Sequence, residues 1–310
     1  MEILHKISPQ KISWVKSNYE AFEKSGAIIE NLYYPENVNE LLELVRSFQT
    51  NNIPYSIIGY SSNTLFLPTF SATHVICTKK VNSWIETDDE IICDCGVNVS
   101  LLSKQMVKKG FVGFEGLTDL PGTLAAGIYG NCGCRGCTIC GIVRHFTMLL
   151  PTGEVKEFSI DDLDLQYRST ALKRGTLNGV IIKIALRKIQ GNAEKLKDIA
   201  RKNHETRTNQ QPSAANNLGT TIVGGSQLTF KGKLLIKLEQ KISWLINEND
   251  RRKTFPILLK AIGKGKFAPY VYYWNRYMFL DAKSHIFFDE YMRFIKTIYK
   301  DASLEIEIKK

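Results

Sequence analysis

Residues 113–136 read GFEGLTDLPGTLAAGIYGNCGCRG, and seven of these twenty-four positions are glycine. Glycine allows a backbone to approach a ligand closely and to adopt positive φ. Successive backbone N–H groups in such turns form concave sites for anions. The stretch matches neither the phosphate-binding P-loop pattern nor the G-x-G-x-x-G dinucleotide pattern. On composition alone it predicts either a loop that contacts a ligand or a surface turn.

The segments around this stretch alternate between helical and extended patterns. Residues 35–50 and 100–109 carry apolar residues at helical spacing, and Gly110 is typical of a helix end. Short apolar runs predict strands, and PTG at 151–153 predicts a hairpin. The predicted strands are 54–58, 74–78, 91–95, 146–150, 155–158, 180–186 and 304–308, and further helices are predicted at 192–207 and 287–299. This mixture predicts an α+β or α/β fold.

Composition and charge restrict the class of protein. The chain has 310 residues and a formal net charge of +10. The N-terminal stretch MEILHKISPQKISW lacks the apolar segment of a signal peptide, and no apolar run is long enough to span a membrane. Lysine and arginine are scattered rather than gathered in a basic block, which does not favour nucleic-acid binding. We expect a cytoplasmic protein with neither a nucleic-acid nor a membrane partner.

Five stretches carry more information together than any one of them alone. They are IIGYSSNTL (57–65), GFEGLTDLPGTLAAGIYGNCGCRG (113–136), LQYRSTALK (165–173), QPSAANNLGTTI (211–222) and LEIEI (304–308). In this order they resemble the UDP-N-acetylenolpyruvoylglucosamine reductases (MurB). The resemblance implies an α+β fold with a two-lobed FAD-binding domain of the PCMH or vanillyl-alcohol-oxidase type over residues 1–190. A smaller α+β substrate-binding domain is then expected over residues 191–310.

The resemblance also implies which residues contact the cofactor, FAD. In the first loop these are Gly59, Ser61, Ser62, Asn63 and Thr64, and in the second they are Gly116, Pro121, Gly122, Thr123, Asn131 and Gly133. The chain departs from the family pattern at Ala125 and Ala126, where the family has paired glycines.

The activity implied by the resemblance is a reduction with NADPH as co-substrate. NADPH reduces FAD, and hydride then passes to the enolpyruvyl group of a nucleotide sugar, a step of peptidoglycan precursor synthesis. The substrate is a small molecule, and we expect a monomer. The resemblance is thin after residue 222. Two alternatives therefore stay open: an FAD oxidoreductase of the same fold that acts on a different nucleotide sugar or carbohydrate, and a non-catalytic flavin-binding protein.

Three residues match the family's catalytic motifs. Arg168 in YRSTALK is the candidate cation for the substrate carboxylate, since a guanidinium binds carboxylates in bidentate geometry. Thr220 falls on the proton-donating serine, although a competing alignment places Asn216 there. Glu307 is the candidate acid, and its alternative role is a solvent-facing strand residue that shares a face with Glu305.

Four cysteines end the glycine-rich stretch with the spacing C-x-C-x2-C-x2-C: Cys132, Cys134, Cys137 and Cys140. Such spacing is compatible with zinc or an iron–sulfur cluster. Cysteine also behaves as a small hydrophobic residue, and a thiol beside a flavin or Arg135 can be redox-active. We expect no metal site, with these four cysteines as the alternative.

Overall fold

The structure is a computed structural model, and it describes residues 28–67, 69–211, 219–220, 222–271 and 288–309. Within the described residues the chain divides into two compact units. Of the described residues, the first unit comprises 29–61 and 72–210, and the second comprises residues 28, 62–67, 69–71, 211, 219–220, 222–271 and 288–309. The boundary between Ser61 and Ser62 divides the GYSSN loop, so residues 62–71 belong with the C-terminal part of the chain.

The secondary structure of the described residues mixes strands and helices. The strands are β1 (Ile28–Tyr33), β2 (Ser56–Ile58), β3 (Thr64–Phe66), β4 (Ser71–Cys77), β5 (Trp84–Glu86), β6 (Glu90–Asp94), β7 (Gly133–Cys134), β8 (Cys137–Thr138), β9 (Val143–Leu149), β10 (Val155–Ser159), β11 (Val180–Arg187), β12 (Ile222–Val223), β13 (Ser303–Leu304) and β14 (Glu307–Lys309). The helices are α1 (Val38–Thr50), α2 (Val99–Lys109), α3 (Leu124–Tyr129), α4 (Ile139–Ile142), α5 (Ala171–Arg174), α6 (Ala193–Gln210), α7 (Phe230–Leu245), α8 (Arg251–Ala261) and α9 (Phe288–Lys296). The predicted α+β class is confirmed.

Two sheets support the first unit. The larger has the order β10-β9-β11-β6-β5 with antiparallel pairing throughout. The smaller has the order β1-β4-β2, and its β2 and β4 are parallel. Strand β11 is buried at six of its eight positions, since it lies centrally between β9 and β6. The core of this unit therefore lies along the middle strands of the larger sheet.

Local capping explains where the helices of the first unit begin and end. Helix α1 begins after Asn37, whose side chain accepts a hydrogen bond from Glu40 N–H, rather than at Pro35. Helix α2 ends at Gly110, which has a φ of 86°. A left-handed residue is a frequent helix end, so the predicted end is confirmed. The predicted hairpin at PTG is confirmed as the antiparallel pair β9–β10.

The second unit contains short strands that pair across long stretches of sequence. Strand β12 pairs with β13, and β3 pairs in parallel with β14. The prediction of a single strand over residues 304–308 was wrong. Strand β13 pairs with β12 and ends at Leu304, and Ile306 is buried. Strand β14 begins at Glu307 and pairs with β3, so the two ends of the segment belong to different sheets.

The helices of the described residues do not include one that is both long and apolar enough to cross a membrane.

Candidate active site

The two predicted cofactor loops meet within the first unit at Gly59 and Thr123. A Cβ on Gly59 would lie 2.3 Å from Thr123 Oγ1 and 3.1 Å from its Cγ2. Real Cβ atoms do not tolerate such distances, so the approach of the two loops requires glycine at residue 59. Thr123 is itself held as the N-cap of α3, where its Oγ1 accepts a bond from Ala126 N–H at 3.4 Å.

The backbone of residues 122–125 is fixed by residues 95–99, which sequence patterns did not identify as part of the site. Val99 N–H donates to Gly122 O at 3.1 Å, Leu124 N–H donates to Val97 O at 3.0 Å, and Ala125 N–H donates to Cys95 O at 3.1 Å. The alternation of apolar residues in IICDCGVNV indicates only a strand and its end. The pairing with a loop more than twenty residues later has no local sequence signal.

Several polar atoms at predicted cofactor residues are buried without a hydrogen-bond partner. Among the described residues, Ser61 Oγ, Asn63 Oδ1 and Asn131 Oδ1 have this property. Ser61 and Asn131 also have left-handed backbones, with φ of 48° and 42°. Buried polar groups normally find partners, because an unmade hydrogen bond costs about 1–3 kcal/mol. The atoms of Ser61 and Asn131, both in the first unit, therefore fit a ligand that carries several polar groups, as FAD does.

Arg168 holds the glycine-rich loop from the side of LQYRSTALK. Its Nη2 donates to Gly133 O at 2.6 Å and its Nη1 donates to Asn131 O at 3.3 Å. Asn131 returns the contact, since its Nδ2 donates to Gln166 O at 2.9 Å. Arg168 also has a positive φ of 57°. The geometry thus shows Arg168 positioning the loop, and its predicted contact with a substrate carboxylate stays a prediction.

The other residues predicted in the second loop have distinct environments. A Cβ on Gly116 would lie 2.5 Å from Cys134 O, so the 132–140 segment packs directly against it. Pro121 is exposed, and Gly133 is buried in β7. Ala126 is exposed and Ala125 is partly exposed, so both methyl groups are accommodated where the family has glycines.

Two of the four clustered cysteines, Cys134 and Cys137, lie opposite each other in the pair β7–β8. Among the described residues, which include all of 132–140, no three side chains of His, Cys, Asp or Glu are placed to hold a metal ion. Burial raises the pKa of the Cys140 thiol to about 12, with Cys132 adding to the shift. Burial also raises the pKa of the Cys137 thiol, while a hydrogen bond from the Gly116 backbone opposes the shift. A thiolate is the reactive form of cysteine, and burial disfavours it at Cys140.

Within the second unit, Asn63 contacts the two remaining candidate catalytic residues, Thr220 and Glu307. Its Nδ2 donates to Thr220 O at 3.1 Å, and its backbone oxygen accepts from Glu307 N–H at 3.1 Å. Thr64, which was predicted to contact the cofactor, is buried in β3 directly opposite Glu307 in β14. The structure therefore brings both candidate proton donors to the end of the first cofactor loop, although they are distant in sequence.

The surroundings of Thr220 and Glu307 are polar. Gly219 has a φ of 78°, and a Cβ there would lie 3.5 Å from Ser62 O, so Ser62 adjoins this turn. Glu307 Oε1 lies 2.7 Å from Lys309 Nζ, so the two side chains form an ion pair. Asn216, the alternative to Thr220, lies outside the described residues.

The second unit also contains a cavity of about 550 Å³ between α7 and α8. Its lining includes Glu239, Ser243, Trp244 and Thr254. None of the residues predicted from the sequence lines it. This cavity is therefore separate from the residues grouped around Asn63.

Comparisons with known proteins show which proteins this chain is similar to. Residues 29–159 match the model of a family described as the FAD binding domain. The chain is 28% identical over 236 residues to the UDP-N-acetylenolpyruvoylglucosamine reductase of Alkaliphilus oremlandii, covering 75% of this chain and 76% of that one. It is 29% identical over 228 residues to the enzyme of the same name from Prochlorococcus marinus, covering 73% and 76%.

A solved structure has a similar fold. The crystal structure of UDP-N-acetylenolpyruvylglucosamine reductase from Thermus caldophilus superimposes with a TM-score of 0.60 at 15% identity, covering 96% of each chain. The similarity extends the resemblance of the fold to the C-terminal part, where the sequence motifs are thin.

Proposed function

Since the chain is an FAD-dependent oxidoreductase similar to the UDP-N-acetylenolpyruvoylglucosamine reductases, we propose that it reduces the enolpyruvyl group of UDP-N-acetylglucosamine enolpyruvate with NADPH as the electron source. The observation that supports this proposal best is the junction at Asn63. One residue of the predicted cofactor loop holds the backbones of Thr220 and Glu307, the two candidates for proton transfer.

Two polar atoms of the first unit, Ser61 Oγ and Asn131 Oδ1, are suited to hydrogen bonds with FAD. Ser61 supplies a hydroxyl for a phosphate oxygen, and the amide oxygen of Asn131 accepts from a hydroxyl or ring N–H. Gly59 and Thr123 hold the two loops against each other. FAD, when bound, supplies the hydride chemistry, and the protein supplies placement and protons.

We assign protonation of the substrate to residues of the second unit. The hydroxyl of Thr220 is a donor, and its position follows from the backbone bond between Thr220 O and Asn63 Nδ2. Threonine restricts χ1 more than serine does, so its hydroxyl has fewer orientations. The backbone N–H of Glu307, the candidate acid, donates to the backbone oxygen of Asn63, the residue that also binds the Thr220 backbone. Thr220 and Glu307 are therefore the two candidate proton donors for the carbon that must be protonated after hydride transfer.

The proposal is tested with the purified, flavin-loaded protein under anaerobic conditions. We expect NADPH to bleach the flavin and the enolpyruvyl nucleotide sugar to restore the oxidised spectrum. Bleaching without reoxidation by this substrate would contradict the proposed acceptor. A panel of other nucleotide sugars then tests the first alternative, an oxidoreductase of the same fold with a different acceptor.

If the protein binds flavin but neither NADPH nor NADH reduces that flavin, the proposal is contradicted altogether. That result would favour the second alternative, a flavin-binding protein without turnover. For a Thr220 variant that lacks the hydroxyl, Thr220→Ser is the matched control, because it keeps the hydroxyl and removes only a methyl group.

A further inference from the structure

Cys134 and Cys137 are direct cross-strand neighbours in a tight hairpin. Strands β7 and β8 are antiparallel, and Cys134 lies opposite Cys137 in their register. The connecting residues, Arg135 and Gly136, have φ of 53° and 82°. Two positive φ values in a two-residue connection are typical of a type I′ turn, whose twist matches that of the two strands. The hairpin therefore holds the two cysteines in one fixed register.

This register satisfies the geometry of a disulfide. Directly opposed residues of an antiparallel pair have Cα atoms about 4.5–5.5 Å apart. Disulfides join cysteines whose Cα atoms are about 4.4–6.8 Å apart. The structure has no bond between the two sulfur atoms.

The two cysteines also differ from most of the others in access to solvent. Cys77, Cys93, Cys95 and Cys140 are buried. Burial raises the pKa of the Cys93 and Cys95 thiols to about 12, which makes them unreactive near neutral pH. Cys132, Cys134 and Cys137 are partly exposed, and of these only Cys134 and Cys137 oppose each other across strands.

We propose that Cys134 and Cys137 are a site of thiol–disulfide exchange with low-molecular-weight disulfides such as oxidised glutathione. One cysteine thiolate attacks the small disulfide, forms a mixed disulfide and releases one small thiol. The second cysteine, after losing its proton to water, attacks the protein-bound sulfur and releases the second small thiol. The protein pair loses two electrons and two protons, and one small disulfide becomes two small thiols.

The location gives the exchange a structural consequence. On Gly116, a Cβ would lie 2.9 Å from both Cys137 Cβ and Cys137 Sγ, so this thiol packs against the predicted cofactor loop. The same hairpin contains Gly133, whose backbone oxygen accepts from Arg168 at 2.6 Å. A disulfide draws the two sulfur atoms together within this contact. The site goes beyond the proposed reductase activity, because its chemistry needs neither FAD nor a sugar substrate.

The experiment treats the full flavin-loaded chain with excess oxidised glutathione and follows intact mass, thiol alkylation and peptide maps. We expect the unvaried protein to lose two hydrogen atoms and two alkylatable thiols, and a peptide map to join Cys134 to Cys137. Dithiothreitol should restore both thiols. We expect Cys134→Ser and Cys137→Ser each to stop at a stable glutathione adduct on the remaining cysteine.

Cys132→Ser is the matched control, since it removes the neighbouring exposed thiol, and it should form the disulfide as the unvaried protein does. A disulfide that joins Cys132 to Cys140 would overturn the proposal. Persistent glutathione adducts on the unvaried protein, or no change of mass, would overturn it equally. Because the main readout uses the unvaried chain, poor folding of a variant does not weaken the test.

Discussion

The glycine-rich loop of the first unit and the strand pairs around Asn63 in the second unit hold their site residues by different means. The loop is held by close backbone approaches and by the Arg168 side chain, beside a five-stranded sheet. Around Asn63, two pairs of strands only two or three residues long carry Thr220's neighbours and Glu307. The first arrangement suits a large ligand that must stay bound. The second places a few functional atoms. Variants in the first unit should therefore change flavin binding, and variants in the second should change turnover.

The largest expected effect lies in the second unit, at Thr220. Thr220→Val keeps the shape and removes the hydroxyl, and we expect kcat to fall about 10²–10⁴-fold, the range of a lost general acid. Thr220→Ser should stay within a few-fold of the unvaried protein. Steady-state rates measure both, with the flavin spectrum as a check on cofactor content. Loss of flavin in Thr220→Val would contradict the expectation that variants in the second unit change turnover and not flavin binding.

Arg168→Lys is expected to weaken flavin binding in the first unit. A lysine has one nitrogen and cannot donate to Asn131 O and Gly133 O as a guanidinium does. Each lost bond from a charged donor costs about 1.5–3 kcal/mol, so we expect the flavin dissociation constant to rise about 10²-fold. Fluorescence titration of the apoprotein with FAD measures it.

Arg144→Lys serves as the control for this variant, because Arg144 is exposed and pairs only with Glu90 among the described ion pairs. Unchanged flavin affinity together with a raised KM would instead assign Arg168 to the substrate carboxylate, its role in the resembled family.

Gly59→Ala tests the approach of the two loops. The added methyl would meet Thr123 Oγ1 and Cγ2, and we expect a loss of about 2 kcal/mol in the free energy of unfolding. Denaturant unfolding of the apoprotein measures it. In a Thr123→Ala background the same change should cost less, since the obstructing side chain is gone. Equal costs in both backgrounds would show that the contact does not limit residue 59.

The smallest expected effect concerns Asp301 in the second unit. Its carboxylate accepts bonds from Ser226 and Gln227, with the Ser226 hydroxyl first, and these lower its pKa to about 2. A lowered pKa stabilises the folded state above about pH 4, and the contribution disappears as the pH falls toward 2. Because Asp301 is partly exposed to solvent, we expect its contribution to be less than about 1 kcal/mol. Asp301→Asn should flatten this part of a stability–pH profile. An unchanged profile would contradict the assignment.

The sequence predicted the features whose cause lies within a few residues. The end of α2 at Gly110 and the hairpin at PTG are of this kind, because turn chemistry and backbone φ decide them locally. The motif order from Gly59 to Asn131 similarly indicated an FAD-binding domain, since close backbone approach needs glycine wherever it occurs. The order of the motifs was sufficient even though Ala125 and Ala126 depart from the family.

Other features depended on the tertiary structure. Asn63 contacts Thr220 and Glu307 across 157 and 244 positions, and residues 304–308 divide between two sheets. The guanidinium of Arg168, which the sequence predicts to bind a substrate carboxylate, reaches two carbonyls of the glycine-rich loop, Asn131 O and Gly133 O. Such contacts follow from how whole elements pack, because closing a long loop costs entropy that only the combined burial of many residues offsets. The spacing of the four cysteines likewise left their arrangement open, and the register of β7 and β8 decided that Cys134 faces Cys137.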